Sequence, residues 1–304
     1  MIGRIVEVSG TGRYLNAFRG FMEVRQKQEL VGRVPLDEIA ALIVNAYGAT
    51  YSNQLLVTLT KRGIPIVVCG NNHAPQAVVF PCETHHQQGA RLDAQLSVSI
   101  TKKKRIWQQL VKAKLEGQAA VLQYFELPHA PVSSLIRKVK SGDTGNLEGV
   151  GARRYWPLLL GSEFRRDRAK DGINSCLNYG YTVLRATVAR KLVATGLNPG
   201  IGLSHTNDGN PMRLVDDLIE PFRPFVDAIV KSLAHDELDD LAPPIKKRLC
   251  SLIVAPVCYE NSNSLLTNAI ENMCTSLVNV YQGRSRNLHL PAMTASSIAY
   301  AMGV

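Results

Sequence analysis

Residues 64–100, IPIVVCGNNHAPQAVVFPCETHHQQGARLDAQLSVSI, contain the change of pattern that decides the fold. The first part is β-like. Ile64–Cys69 is short, apolar and mostly β-branched, which reads as a buried strand, and Ala77–Phe80 reads as another. Pro81–Gln88 is polar and turn-like and reads as a linker. From Leu92 the period becomes helical, with Leu92, Leu96 and Ile100 four residues apart. The chain therefore divides near residue 85.

Upstream of that division the sequence predicts strands. Arg4–Val8 alternates in part, and Tyr14–Leu15, Phe21–Val24 and Glu29–Val34 are short β-prone runs. Gly10, Gly12, Gly20 and Gly32 punctuate them, which predicts hairpins. Ile39–Val44 fits a buried strand. Ser52–Arg62 reads as one inserted helix, capped by Ser52, with Leu55, Leu56 and Leu59 on one face.

Downstream the pattern is helical. Trp107, Leu110 and Leu115 continue the apolar face from Leu92 towards Glu116, and Pro128 and Pro131 interrupt it. Gly142–Gly145 marks a turn, after which Asp143 or Thr144 caps a helix through Glu148 to Tyr155, reset by Pro157 before Leu160. A long helix follows over Ile173–Thr195, ending at Gly196. Leu197–Gly209 is a loop. Pro211–Leu233 returns to helix with resets at Pro221 and Pro224, and Leu249–Val254 and Leu265–Tyr281 are further helical stretches. The expected fold class is α+β in two domains, β-rich over 1–84 and helical over 85–304.

The 304 residues carry a formal net charge of +10 and are 45% hydrophobic and 20% charged. This composition supports a folded core and excludes a disordered chain. The positive balance favours a polyanionic partner, of which nucleic acid is the commonest. None of the six cysteines forms a CxxC pair, which argues against a structural zinc and suits a reducing compartment. No signal-peptide pattern and no apolar run of about 20 residues is visible, so no membrane span is expected and cytoplasm is the default.

Residues 203–223, LSHTNDGNPMRLVDDLIEPFR, carry the most suggestive chemistry. His205 precedes a helix bearing Asp216, Asp217 and Glu220, and spacings of three or four bring carboxylates onto one helix face. A histidine with carboxylates suits a divalent cation, Mg²⁺ or Mn²⁺, the imidazole favouring Mn²⁺. The same pattern also suits a solvated acidic face. Glu148 lies in GNLEGVGARRYW, where Gly145, Gly149 and Gly151 mark close approach of another backbone or a ligand. Arg153, Arg154, Arg165, Arg166, Arg168 and Lys170 form a basic cluster with Tyr155, Trp156 and Phe164 interleaved, and Lys102–Arg105 is a second basic run. Arginine forks match phosphate oxygens. Basic residues beside carboxylates suit phosphodiester chemistry, although both basic stretches also read as solvated faces.

The stretches GARRYWPLLLGSEFRRDRAKDGINSCLNYGYTVL and GLNPGIGLSHTNDGNPMRLVDDLIEPFRPFVD together resemble the CRISPR spacer-acquisition integrase, most closely its type II branch. The detailed resemblance covers residues 144–226. It implies metal ligands at Glu148, His205 and Glu220, with Asp217, Asn178 and Arg223 supporting. It implies an N-terminal β-sandwich followed by an all-α catalytic domain. It further implies a homodimer, and two such dimers flanking a dimer of a small ferredoxin-like protein in a hetero-hexamer. The implied reaction joins the 3′-hydroxyl ends of a short foreign double-stranded DNA fragment to a repeat array by transesterification, or hydrolyses DNA where water attacks. A non-enzymatic DNA-binding scaffold and a simple metal nuclease are the competing readings.

Overall fold

The computed structural model describes residues 4–70, 75–233, 241–259 and 262–302. The chain forms two compact units, Met1–His86 and Gln87–Val304.

The first unit is a sandwich of two four-stranded sheets. In chain order its elements are β1 (Arg4–Thr11), β2 (Tyr14–Phe18), β3 (Phe21–Gln26), β4 (Glu29–Pro35), β5 (Ile39–Tyr47), β6 (Thr50–Tyr51), α1 (Asn53–Lys61), β7 (Ile66–Cys69) and β8 (Pro75–Val79). One sheet runs β1-β5-β7-β8 and the other β4-β3-β2-β6. Leu15, Met22 and Val24 from one sheet share a core with Val8, Leu42, Val44 and Ile66 from the other and with Leu55 and Leu59 of α1. Ser52 caps α1 as its sequence predicts, accepting from the Leu55 amide.

The hairpin reading holds only for β2–β3 and β3–β4, whose turns at Arg19–Gly20 and Lys27–Gln28 have positive φ at both positions. β1 instead pairs in parallel with β5, and β5 in parallel with β7. The intervening strands belong to the second sheet, so local punctuation could not reveal this pairing. β5 has the near-continuous burial of a central strand, which its run of apolar residues anticipates.

The second unit contains α2 (Gln88–Leu96), α3 (Ile100–Tyr124), α4 (Ala130–Ile136), α5 (Leu147–Leu160), α6 (Ile173–Ala194), α7 (Arg213–Leu218), α8 (Arg223–Ser232) and α9 (Pro243–Ser251). A short antiparallel pair follows, β9 (Pro256–Tyr259) and β10 (Ser262–Leu265), then α10 (Leu266–Tyr281) and α11 (Ala295–Ala301). The sequence reading anticipated neither this pair nor α11. It also placed a helix over 249–254, whereas α9 starts at Pro243 and residues 252–254 tighten into a 3₁₀ turn.

Two long helices organise this unit. α3 packs against α4, α5, α8 and α11, and α6 packs against α7, α8, α9 and α10. The helix predicted to run on from Leu92 is broken at residues 97–99. Ser97 ends α2, and the Ser99 hydroxyl accepts the Lys102 amide to start α3. Leu96 and Ile100, whose spacing predicted continuity, are exposed at 61% and 72%. The buried residue of the break is Val98. Pro157 does not reset α5, which continues to Leu160. None of the six cysteines forms a disulfide, and burial pushes the Cys176 thiol to about 11 and the Cys274 thiol to about 12. Among the described residues no helix is long and apolar enough to cross a membrane.

α5 approaches α3 most closely at Gly151, where a Cβ would lie 2.3 Å from Leu115 Cδ2. Leu115 is fully buried and has nowhere to retreat. Gly151→Ala is expected to overpack this seam and cost about 1–3 kcal/mol, read as a lower midpoint in chemical denaturation. An unchanged midpoint would show that α5 can stand off α3 at no cost.

Candidate metal and phosphodiester site

Glu148 and Glu220 are joined through one lysine, and His205 lies within electrostatic reach of Glu220. Glu148 lies in the first turn of α5. That turn is fixed from below, because the buried Asp143 carboxylate accepts the Leu147 and Glu148 amides at 2.9 and 3.0 Å. Asn146 caps the helix through the Gly149 amide. Glu220 opens a 3₁₀ segment, Glu220–Phe222, between α7 and α8. Pro221 has no amide hydrogen to continue α7, so the chain tightens here and turns Glu220 inward.

Lys114, in the middle of α3, joins the two carboxylates. Its Nζ lies 2.7 Å from Glu148 Oε1 and 2.5 Å from Glu220 Oε2. The Glu148 contact is an aligned hydrogen bond. The Glu220 contact is a second short ion pair from the same ammonium. Arg223 donates from Nε to Glu220 Oε1 at 2.8 Å. Burial would push the Glu220 carboxyl up, but Arg223 and Lys114 outweigh it and hold it down at about 2. Burial likewise disfavours the Lys114 ammonium, and Glu220 and Glu148 more than offset that, raising its pKa.

His205 is held by Asp217. The fully buried Asp217 accepts the backbone amides of Leu203, Ser204 and His205 at 2.6, 3.3 and 3.2 Å and lies 2.7 Å from His205 Nδ1. Asp217 favours the imidazolium and raises the His205 pKa, although burial works against it. The Trp107 ring meets the imidazole edge-on at 6.0 Å. Gly202 makes the tight loop possible, since a Cβ there would come within 2.9 Å of the His205 carbonyl and 3.1 Å of Asp217 Oδ2. Glu220 is within electrostatic reach of His205 and acts on its titration.

The acidic residues after His205 therefore do not share one face with one role. Asp217 is saturated by the loop. Asp216 pairs with Arg185 at 2.7 Å and accepts from Asn210. Only Glu220 turns towards Glu148. Helical spacing misled because the Asp217 carboxylate serves backbone amides and because Pro221 ends the regular helix.

Behind Glu220 lies a second buried layer. The Arg223 guanidinium sits over the Tyr181 ring at 4.4 Å, and the Tyr181 hydroxyl donates to Asp227 at 2.5 Å. Burial pushes the Asp227 carboxyl up to about 7, even though the Tyr181 and Tyr155 hydroxyls and Arg223 favour its charged form. Arg166 reaches the other end of this layer, 5.5 Å from the Tyr181 ring.

The basic cluster splits into anchored and free members. Arg166 is half-buried and donates to Asn174 and Asn178 at 2.9 and 2.7 Å. Asn178 also donates to the Arg168 carbonyl, so it shapes the 165–170 loop rather than touching the carboxylates. Arg165, Arg168 and Lys170 are exposed on that loop. Arg153 and Arg154 are exposed on α5, and Arg154 donates to the Pro131 carbonyl.

Sequence reasoning missed Lys114. The available signal was a lysine in an otherwise apolar helix seam, since Trp107, Val111, Leu115 and Leu122 are all buried on α3. Among the described residues no three His, Cys, Asp or Glu side chains converge closely enough to hold a metal as they stand. The donor chemistry nevertheless fits a divalent ion. It comprises two carboxylates brought onto one cation and an imidazole whose second nitrogen is fixed by a carboxylate. The bridging position is taken by the Lys114 ammonium.

Removing the Asp217 acceptor tests the loop. Asp217→Ala is expected to destabilise the protein by about 2–4 kcal/mol, because several amides lose their partner at about 1–3 kcal/mol each. It should also speed hydrogen exchange at Leu203, Ser204 and His205. Unchanged protection of those amides would show that Asp217 does not hold the loop.

A family profile described as "CRISPR associated protein Cas1" matches residues 6–240. The CRISPR-associated endonuclease Cas1 of Neisseria meningitidis is 32% identical over 283 residues, covering 90% of this chain and 93% of that one. Among solved structures, a casposase bound to integration product superposes with a TM-score of 0.80 at 19% identity, over 94% of this chain and 92% of that chain. A chain of a Cas6-RT-Cas1–Cas2 complex superposes with a TM-score of 0.72 at 16% identity, over 95% of this chain and 36% of that longer chain. With a family match over most of its length and a relative above 30% identity across nearly all of it, the chain belongs to the CRISPR associated protein Cas1 family.

Proposed function

We propose that this protein is a metal-dependent DNA strand transferase of CRISPR adaptation that also acts as an endonuclease. The observation that carries this reading is the meeting of Glu148 and Glu220 on one cation with His205 beside them. These residues come from an α5 helix start, a 3₁₀ turn and a loop that only the tertiary fold brings together. The endonuclease name of the Neisseria relative supports the reaction class. The casposase bound to integration product supports strand joining on this fold.

Glu148, Glu220 and the free Nε2 of His205 would hold Mg²⁺ or Mn²⁺. Such an ion supplies a lowered pKa for the attacking hydroxyl and stabilises charge developing at the phosphate. The chain's own residues do the rest. Asp217 fixes the imidazole tautomer and orientation through Nδ1. Arg223 and Lys114 keep Glu220 deprotonated in a dry pocket. Arg165, Arg168, Lys170, Arg153 and Arg154 offer exposed charge to the DNA backbone, and Arg166 and Asn178 hold the loop that presents three of them. In the transfer itself, the 3′ oxygen of the incoming fragment bonds to a phosphorus of the repeat DNA. The existing bond to the 3′ oxygen of the cut strand breaks, and that oxygen takes up a proton. One phosphodiester is exchanged for another, so no ATP is required.

We assign the β-sandwich unit, residues 1–84, to dimerisation and contact with a small ferredoxin-like protein in a hetero-hexamer, and residues 85–304 to catalysis and DNA binding. The Cas6-RT-Cas1–Cas2 neighbour supports a protein partner of this kind. The reaction and its partners place the protein in the cytoplasm.

Glu148→Gln, His205→Ala and Glu220→Gln are each expected to abolish joining of a labelled duplex in Mg²⁺ while duplex binding persists. Full joining by any of them would remove that residue from the site. Arg165→Ala and Arg168→Ala should weaken binding about equally across DNA sequences and lower the salt slope by about 1 each. A sequence-selective loss would instead show base contacts.

A further inference from the structure

Lys114 is the one buried cation whose place the proposed metal must take. We propose that Lys114 makes metal binding conditional on DNA. Its ammonium holds Glu148 and Glu220 in the free protein, and it moves to a phosphate of the bound DNA when a divalent ion takes those oxygens. This inference rests on the reading of Glu148, His205 and Glu220 as metal ligands.

The geometry favours Lys114 as the cation that moves. Two cations contact Glu220. Arg223 is hydrogen-bonded to Oε1 and stacked on Tyr181, itself fixed by Asp227. Lys114 reaches Oε2 at 2.5 Å as a point charge on a flexible four-carbon stem, with no ring among the described residues stacked on it to fix its place. A divalent ion held by Glu148 and Glu220 would compete with Lys114 for Glu148 Oε1 and Glu220 Oε2, and the two cations would repel at that range.

Charge balance supplies the second half of the argument. Lys114 and Arg223 offset Glu148 and Glu220, so the inner pocket is neutral without metal. A divalent ion alone leaves a buried surplus of positive charge, which is costly in a pocket where Glu220 is 3% exposed. A phosphodiester brings the compensating anion, and an ammonium a few ångströms away is a suitable phosphate donor. Metal and DNA then favour each other's binding by the same factor, because the linkage is reciprocal. The site would be armed for phosphodiester chemistry only while a strand is seated in it.

Mn²⁺ titration of the full-length protein by electron paramagnetic resonance, with and without a short duplex, tests this. Wild type is expected to bind Mn²⁺ about tenfold more tightly with duplex present, within the usual range of coupling between two sites. Lys114→Met should bind Mn²⁺ about tenfold more tightly than wild type without DNA, and its dependence on duplex should fall below about threefold. Lys114→Arg, which keeps a cation on both carboxylates, should bind no more tightly than wild type. If Lys114→Met does not fold, as judged by its thermal melt, Lys114→Gln takes its place with the same expected direction. Wild-type Mn²⁺ affinity and wild-type duplex dependence in the Lys114→Met or Lys114→Gln protein would overturn the inference. Glu220→Gln separates the two levels. Undiminished Mn²⁺ binding by Glu220→Gln would reject the metal-site reading itself. Lost binding there, with Lys114→Met unchanged from wild type, would reject only the role of Lys114.

Discussion

Burying the Glu220 carboxylate costs several kcal/mol of lost hydration unless it is paired, and the arrangement of the helical unit answers that cost. Lys114 comes from α3 and Arg223 from the start of α8, so one carboxylate ties two helices together. Lys114 then reaches α5 through Glu148, and Arg223 reaches α6 through the Tyr181 ring. Removing Glu220 would leave Arg223 without its carboxylate and Lys114 with Glu148 alone. This is why the cluster holds its geometry even though each pair, taken alone, contributes little net stability.

The same chain of contacts connects the carboxylates to the basic loop. Tyr181 carries Arg223 on its ring, and Arg166 approaches that ring too. Arg166 is in turn bonded to Asn174 and Asn178. Arg165 and Arg168, one residue before and two after it, inherit a fixed origin while their own side chains stay in water. The half-buried Arg166 thus anchors the loop that carries them. Exposure grades across the site in the same sense, with side-chain values of 4% at Glu220, 25% at Glu148 and 40% at His205.

Local signals carried much of the fold. The Ser52 cap, the buried β5 and β7 runs, and the ends of α6 and α10 were legible because each depends on residues close in sequence. The parallel pairing of β1 with β5 was not, because it depends on strands far apart in the chain. The break between α2 and α3 was hidden by apolar residues at helical spacing that face water, while two serines set the real boundary. For the site, residue types alone pointed to His205 and the acidic run but not to which acid turns inward. That choice depends on Asp217 being consumed by three loop amides and on Pro221 ending the helix, and both are tertiary facts. Glu148 was marked only weakly by its flanking glycines and firmly by the family resemblance, and Lys114 was missed although it lies among the buried apolar positions of α3.

On the proposed reading, a site that takes a divalent ion must also survive without one. Two carboxylates facing each other in a dry pocket would otherwise take up a proton or push their helices apart. An apolar filler would remove the charge problem by protonating the ligands, which would leave them unready for metal. A lysine meets both demands. It keeps Glu220 ionised and holds α5 against α3 through a compact ammonium on a flexible stem. An arginine in its place would form a stiffer, forked pair and yield the oxygens less readily. The division of labour between Arg223, locked on Tyr181, and Lys114, free on its stem, follows from that difference in side-chain physics.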